Sequence, residues 1–485
     1  MSELTSYQMF IDGAWDAGTT GRRMQSVNPY TGQVWADFPE GDETDVDRAV
    51  RAARRAFEET DWTRRPRYRA EVLRKLADLI ERDAERFAQL ESTDNGKTIS
   101  EERRMYESLP AFYRLAASYA ETMSGDVPTG ANPDVLSMTM YEPYGVIGIQ
   151  TPWNTPGVIF GQAAAPALAT GNAVVVKPSE LAPCSTLEFG RLALEAGLPD
   201  GLVNIVTGPG PAVGAALCAH PGVDKLVFTG SPAAGRMVAA AGASRLAPVL
   251  LELGGKSANI VFPDADLDAA VEGLVRGFTA SAGQTCVCGS RALIHESIYA
   301  EVVERMIKAV GELRVGDPAD PATELGPVFS RQQFDHIDEL VRSSVEEGAD
   351  IACGGGLIEG CTGNFYAPTI VTNAHNQMRI AQEEVFGPVV VCIPFRTEEE
   401  AIRIANGTAF GLAAGVWTAD LNRAHRMTRD LRSGKVWVNH YRAGDANFPF
   451  GGIGESGYGR VNGMDGIREM TRSKSVQILL DQNRA

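Results

Sequence analysis

The chain has 485 residues, 44% hydrophobic and 22% charged, which at about 100–200 residues per domain means two or three folded domains and excludes a disordered or collagen-like chain. Its 51 glycines have no fixed period and exceed the usual share of about 7%, as many tight turns and close backbone approaches in an α/β protein would require. A net charge of −17 argues against a nucleic-acid scaffold or a basic membrane-surface protein.

The N-terminal Met1-Ser2-Glu3-Leu4-Thr5 lacks a basic region followed by an apolar stretch, so no signal peptide and a cytoplasmic location are expected. From Arg69 to Ser92, Val72, Leu73, Leu76, Leu79, Ile80, Phe87 and Leu90 recur at helical spacing, which predicts one amphipathic surface helix. Between Glu142 and Lys177 no residue is charged, a run long enough to cross a bilayer. Pro152, Pro156, Pro166 and the polar Gln150, Asn154, Gln162 and Asn172 argue instead for a buried strand, loop, helix and strand. Apolar runs at Val174–Val176, Val203–Val206 and Leu226–Phe228 alternate with Ala-rich stretches, and a second series follows at Ala258–Val261, Val389–Ile393 and Val436–Asn439, with a helix at Ile298–Leu313. Strands alternating with helices predict parallel sheets, hence two α/β domains. The tail from Ser475 to Leu480 reads as a strand with little of its own chain to pair with, so pairing across a subunit interface is expected.

Seven cysteines without regular spacing predict reduced thiols. Cys286 and Cys288 form a C-x-C pair with no nearby His or second pair, which argues against zinc. Cys286 lies in Gly283-Gln284-Thr285-Cys286-Val287-Cys288-Gly289, a polar, Gly-flanked stretch that suits either a reactive thiol or a structural one. Glu252 sits between apolar residues in Leu251-Glu252-Leu253-Gly254-Gly255-Lys256, where burial would raise its pKa toward that of a general base, unless it pairs with Lys256.

Thr207-Gly208-Pro209-Gly210-Pro211-Ala212-Val213-Gly214 has its third Gly one position late for a dinucleotide fingerprint and reads as a structural turn. Phe228-Thr229-Gly230-Ser231, with Gly235, offers either backbone N–H groups to a phosphate or a mere helix cap. Lys177 and Glu180 end a strand three residues apart, as a surface ion pair or as a grip on a ribose diol. In the second case Glu180 would repel a 2′-phosphate and favour NAD over NADP.

These segments, with Phe10-Ile11-Asp12-Gly13-Ala14-Trp15, Pro152-Trp153-Asn154, Glu383-Glu384-Val385-Phe386-Gly387-Pro388 and Pro449-Phe450-Gly451-Gly452, resemble the NAD(P)-dependent aldehyde dehydrogenase superfamily over nearly the whole chain. The resemblance implies an α/β fold with a Rossmann-like coenzyme domain (residues 1–121 and 144–252), a catalytic domain (253–454) and a small β oligomerisation element (122–143 and 455–485). It implies that Cys286 is the nucleophile, Glu252 the general base and Asn154 an oxyanion donor. It also implies that Trp153, Lys177, Glu180, Gly230, Ser231, Gly235, Glu384 and Phe386 meet NAD, that no metal is needed, and that the protein is a homodimer or homotetramer. An acylating relative that passes the acyl group to coenzyme A is the alternative, and a non-catalytic homologue, which should lack Cys286 or Glu252, a further one. The family pattern puts Phe112, Tyr113, Thr285, Val287, Asn447, Phe448 and Phe450 along the substrate tunnel. Thr155 stands where an aromatic is common and suggests a wider, more polar mouth. Gly454 and Val461 replace a common Lys and Glu, which leaves interface details open. Arg442 is either a surface arginine or a partner for a substrate carboxylate, which would make the substrate a semialdehyde. Cys288, two residues past Cys286, could protect it through a reversible disulfide.

Overall fold

The computed structural model describes residues 4–480 except Ala131, Glu359 and Thr362. The first of its large sheets has the strand order Gly457–Tyr458, Val249–Glu252, Lys225–Thr229, Val146–Gln150, Ala173–Lys177, Val203–Ile205, Met9–Ile11 and Ala14–Asp16. The five strands from Val249–Glu252 to Val203–Ile205 run parallel, and Val174, Val175 and Val176 are at most 1% exposed, as expected where helices cover both faces. The uncharged run forms the strand Val146–Gln150, a loop, the helix Pro156–Ala169 and the strand Ala173–Lys177. That helix carries Pro156 in its first turn and is buried all round except at Ile159 and Gln162. It is a core helix, and among the described residues no helix is long and apolar enough to cross a membrane.

In the second large sheet the strand order is Asp350–Cys353, Thr369–Thr372, Val389–Phe395, Arg291–His295, Ala258–Val261, Ala413–Trp417 and Lys435–Val438, all parallel except the first. Arg291 opens its central strand and is 2% exposed. Its Nε donates to the Lys256 carbonyl, and its two Nη groups to Asn376 Oδ1 and to the Ile404 and Ala405 carbonyls at the end of the helix Glu398–Ala405. Burial lowers its pKa to about 10, so it stays charged at neutral pH and stabilises the exposed helix carbonyls while fixing the Lys256 loop.

Two expectations are corrected. The single helix over Arg69–Ser92 is two, Pro66–Arg82 and Ala84–Asn95, broken at Asp83. Both helices keep their apolar stripe on the core, with Leu73, Ile80 and Phe87 at most 1% exposed. The Asp83 carboxylate is held by Arg82 and Arg191. The tail strand does have a partner in its own chain: Thr471–Leu479 pairs antiparallel with Val135–Pro143 over the whole length of both. Met140, Ile478, Leu479 and Leu480 of this ribbon remain exposed. Residues just before the ribbon pack on the first sheet, where Gly457 pairs with Glu252 and the helix Gly463–Glu469 sets Ile467 into the core.

Replacing Arg291 by Lys keeps the charge but loses the fork. It should cost about 3 kcal/mol, read as a lower unfolding midpoint in denaturant; an unchanged midpoint would show that the fork carries no stability.

Candidate active site

The parallel strands of the first sheet bring their C-terminal ends into one row. Lys177 lies opposite Gln150, Gln150 opposite Phe228, and Thr229 opposite Glu252. Ligands of open α/β sheets bind at this edge, and the loops leaving it carry Trp153, Asn154, Glu180, Gly230 and Lys256.

The second domain supplies Cys286. After the helix Leu267–Thr279, Ser281 (φ 57°), Ala282 (φ 50°) and Gly283 (φ 70°) are all left-handed. Such backbone is strained for residues with a Cβ and persists where the surroundings over-determine it. A Cβ on Gly283 would lie 1.9 Å from the Gly387 carbonyl oxygen. Gln284, 2% exposed, locks the turn: its Oε1 accepts from the Phe329 N–H (2.8 Å) and its Nε2 donates to the Ser281 carbonyl. Cys286 is half-buried beyond this turn. Its sulfur faces its own backbone N–H, but burial and the carboxylates of Glu252 and Glu384 push the thiol up to about 12.

Glu252 is 7% exposed, and both carboxylate oxygens are buried without a hydrogen-bond partner. It does not pair with Lys256, whose ammonium is likewise buried and unpartnered. Burial holds the Glu252 carboxyl well above the usual range, and only the Arg460 charge opposes this. Lys256 is lowered to about 7 by burial.

Asn154 joins the two domains. Its side-chain amide donates to the Gln284 carbonyl (3.0 Å), so the amide is turned toward the Cys286 loop with a second N–H to spare. Its own carbonyl accepts from Asn95 Nδ2 (3.1 Å), which also donates to Glu102. Lys97 donates to the Thr155 hydroxyl (2.7 Å), while Glu91 accepts from Tyr106 and from the Gly157 N–H. Thr155 therefore turns its hydroxyl inward to Lys97.

At the proposed cofactor cleft, Lys177 and Glu180 form an ion pair (2.5 Å), and Glu180 Oε1 also accepts from the Gly210 N–H (3.1 Å). Burial works to raise the Glu180 carboxyl, but the Lys177 charge and hydrogen bond hold it below the usual range. The Gly208–Gly214 turn opens with a single π-type turn at Gly210–Gly214 in place of a regular helix start. Ser231 caps the helix Pro232–Ser244 by accepting from the Ala234 N–H, and it is exposed beside Gly230. Gly235 is buried, and a Cβ there would lie 2.6 Å from Leu253, so the missing side chain allows close helix–strand packing. Glu384 is half-buried, accepts from the Gly255 N–H (2.9 Å), and is raised to about 7 by the loss of solvent around its carboxyl. Gly254 leaves room for it, since a Cβ there would lie 2.1 Å from Glu384 Oε2. Trp153 stacks on Phe329 (4.4 Å) and meets Phe386 edge-on (5.5 Å). Phe329 and Gln284 were not singled out as functional in the sequence; only the adjacency of Gln284 to Cys286 could have drawn attention to it.

Of the expected tunnel residues, Thr285 and Val287 flank Cys286 half-buried, and Phe112 and Phe450 are half-buried. Asn447 and Phe448 are exposed, with the Lys435 ammonium 5.4 Å from the Phe448 ring. Tyr113 is sealed in the first core. Cys288 is buried in a second-domain core and pushed up to about 12 by burial, a poor setting for the fast thiolate exchange that a protective disulfide requires.

Residues 15–476 match the profile of the Aldehyde dehydrogenase family. The chain belongs to this family. It is 43% identical to retinal dehydrogenase 2 of Gallus gallus, covering 99% of this chain and 93% of that one. It is 42% identical to the (Z)-2-((N-methylformamido)methylene)-5-hydroxybutyrolactone dehydrogenase of Acinetobacter baylyi, covering 98% and 97%. Among solved structures it resembles the NAD+ complex of betaine aldehyde dehydrogenase from Staphylococcus aureus, with TM-score 0.97 and 37% identity over 99% of this chain and 96% of that one. The protein is an NAD-dependent aldehyde dehydrogenase that oxidises aldehydes through a catalytic cysteine.

Gly283→Ala in this dehydrogenase would force the strained turn against Gly387. Turnover should fall by more than about tenfold while NAD still binds; wild-type turnover in that variant would mean the turn does not position the thiol.

Proposed function

We propose that Cys286 is the catalytic cysteine and that the enzyme hydrolyses its own thioester to release a carboxylic acid, with Glu252 as the base. The observation that carries this reading is the Glu252 carboxylate, buried with both oxygens unpartnered at the sheet edge that faces the Cys286 loop. An acylating enzyme, which hands its acyl group to coenzyme A, has no use for such a base.

The Cys286 sulfur adds to the aldehyde carbon, and its proton goes to a base. Because the negative charge of Glu252 raises the thiol, the two groups do not both ionise readily, and Glu252 is a natural acceptor for that proton. The carbonyl oxygen gathers charge as the C–S bond forms, and the free N–H of Asn154 with the Cys286 backbone N–H would stabilise it. NAD, when bound, accepts the hydride leaving the former aldehyde carbon. Lys177 and Glu180 would hold the adenosine ribose, Gly230 and Ser231 the pyrophosphate, and Glu384 the nicotinamide ribose, with Trp153 and Phe386 beside it. The donor set suits a dinucleotide: Glu384 takes a backbone N–H on one oxygen and keeps the other for a diol, while Glu180, held by Lys177 and the Gly210 N–H, presents a fixed acceptor beside a cation. Glu252 would pass the first proton to solvent and then take one from water as that water adds to the thioester, and the Cys286 thiolate leaves and is reprotonated. We further propose that the exposed edge of the ribbon docks on a second copy, and that the free cysteines belong to a reducing cytoplasm.

Glu252→Gln should lose steady turnover and give at most a slowed burst of NADH no larger than the enzyme present, seen by rapid-mixing absorbance; steady turnover in that variant, or acyl-CoA formed on adding coenzyme A to the wild type, would reject the hydrolytic route. Because burial holds the Glu252 carboxyl above the usual range, its base form keeps growing as pH rises past that range, and the hydrolysis step should speed up with it; a flat profile would remove Glu252 from that step. Glu180→Gln should narrow the preference for NAD over NADP in kcat/KM, and an unchanged ratio would sink its ribose role.

A further inference from the structure

We infer that Arg442 binds a carboxylate on the substrate, so that aldehydes bearing a carboxylate at their far end are the preferred class. The inference rests on Cys286 being the nucleophile.

Arg442 lies in the loop after the strand Lys435–Val438, and both of its neighbours are fastened. The Tyr441 hydroxyl donates to the carbonyl of Val287 (3.0 Å), the residue after Cys286, and Trp437 Nε1 donates to the carbonyl of Ala443 (2.9 Å). Tyr441 and Trp437 pack edge to face (4.8 Å). The clamp sets Arg442 directly against the nucleophile loop, in left-handed backbone (φ 65°) that a side chain adopts only when its surroundings impose it.

The arginine held in this way is unsatisfied. Its Nη1 is buried without a partner, and the side chain makes no hydrogen bond or ion pair with any described residue. Arg245 and Arg423 also bury one unpartnered nitrogen, but Arg245 donates to the Cys218 and Val223 carbonyls and Arg423 to Asp264. A guanidinium nitrogen shielded from water with no acceptor is costly unless a ligand supplies one. The Arg442 charge also acts on the thiols of both Cys286 and Cys288, lowering them against the effect of burial.

The ligand must be an anion, and the surroundings narrow its kind. The carboxylates of Glu252 and Glu384 would repel an incoming anion, and Arg442 at the loop offsets one negative charge. A carboxylate matches one planar fork in charge and shape, whereas a phosphate dianion calls for more cations than the loop provides. The reaction on such a substrate would consume one NAD and one water and give the dicarboxylate, NADH and two protons.

The test compares 4-oxobutanoate and 5-oxopentanoate with their methyl esters, following NADH. The wild type should favour one of the acids over its ester by at least about tenfold in kcat/KM, through KM. Arg442→Gln should collapse this ratio toward one, and Arg442→Lys should keep part of it. A wild type that treats acid and ester alike, a ratio untouched in Arg442→Gln, or a preference for glyceraldehyde 3-phosphate over both acids would overturn the inference; the wild-type ratio decides even if the variants fail to fold. Turnover of any of these aldehydes by Cys286→Ala would instead refute the nucleophile assignment on which the inference rests.

Discussion

The hydrogen bond from the Asn154 amide to the Gln284 carbonyl is the joint on which this site depends. Asn154 leaves the edge of the first sheet and Gln284 belongs to the loop of the second, and their side chains and carbonyls form a chain running from Asn95 through Asn154 and Gln284 to Phe329. Every member is buried, so each bond forms in a medium of low polarity where its loss would leave an unsatisfied group. That is why a thiol carried by one domain can be held in register with a carboxylate and an amide carried by the other. Behind it, Glu91, Lys97 and Glu102 place three ionisable groups in the interior, where burial raises both carboxyls and each group has at least one polar partner.

The site itself is an electrostatic compromise. Glu252 and Glu384 are carboxylates in apolar surroundings and both are pushed above their usual range, while the buried Lys256 is pushed below its own. Groups whose proton affinities are drawn toward neutrality exchange protons with little bias, as general acid–base chemistry requires. The thiol, raised by those same carboxylates, is unreactive until a positive charge or a proton acceptor intervenes. Such a centre stays quiet until its ligands are in place.

Much of this was legible in the sequence. Apolar runs marked the parallel strands, and the uncharged segment with its prolines marked a strand, loop, helix and strand. Local patterns failed where partners are far apart. The apolar spacing located the tail strand but not Val135–Pro143 beside it, because edge pairing leaves no local period. The break at Asp83 was hidden because an amphipathic pattern survives a single-residue interruption. Thr155 drew notice as a pocket residue by its position, and the Lys97 that holds its hydroxyl is 58 residues away. Gly235 drew notice as a phosphate contact, and its close approach to Leu253 left no local sign. Gln284 and Phe329 carry no chemistry of their own, so nothing in their residue types advertised their work.

The clamp of Tyr441 and Trp437 on the loop beside Cys286 divides labour between neighbouring residues. Anchoring is done by aromatic side chains and by carbonyls that every amino acid possesses, while the Arg442 side chain carries none of it. The identity of that one position can therefore change without disturbing the thiol, so a scaffold of this kind can drift from one aldehyde to another by exchanging a single side chain while its reaction stays the same.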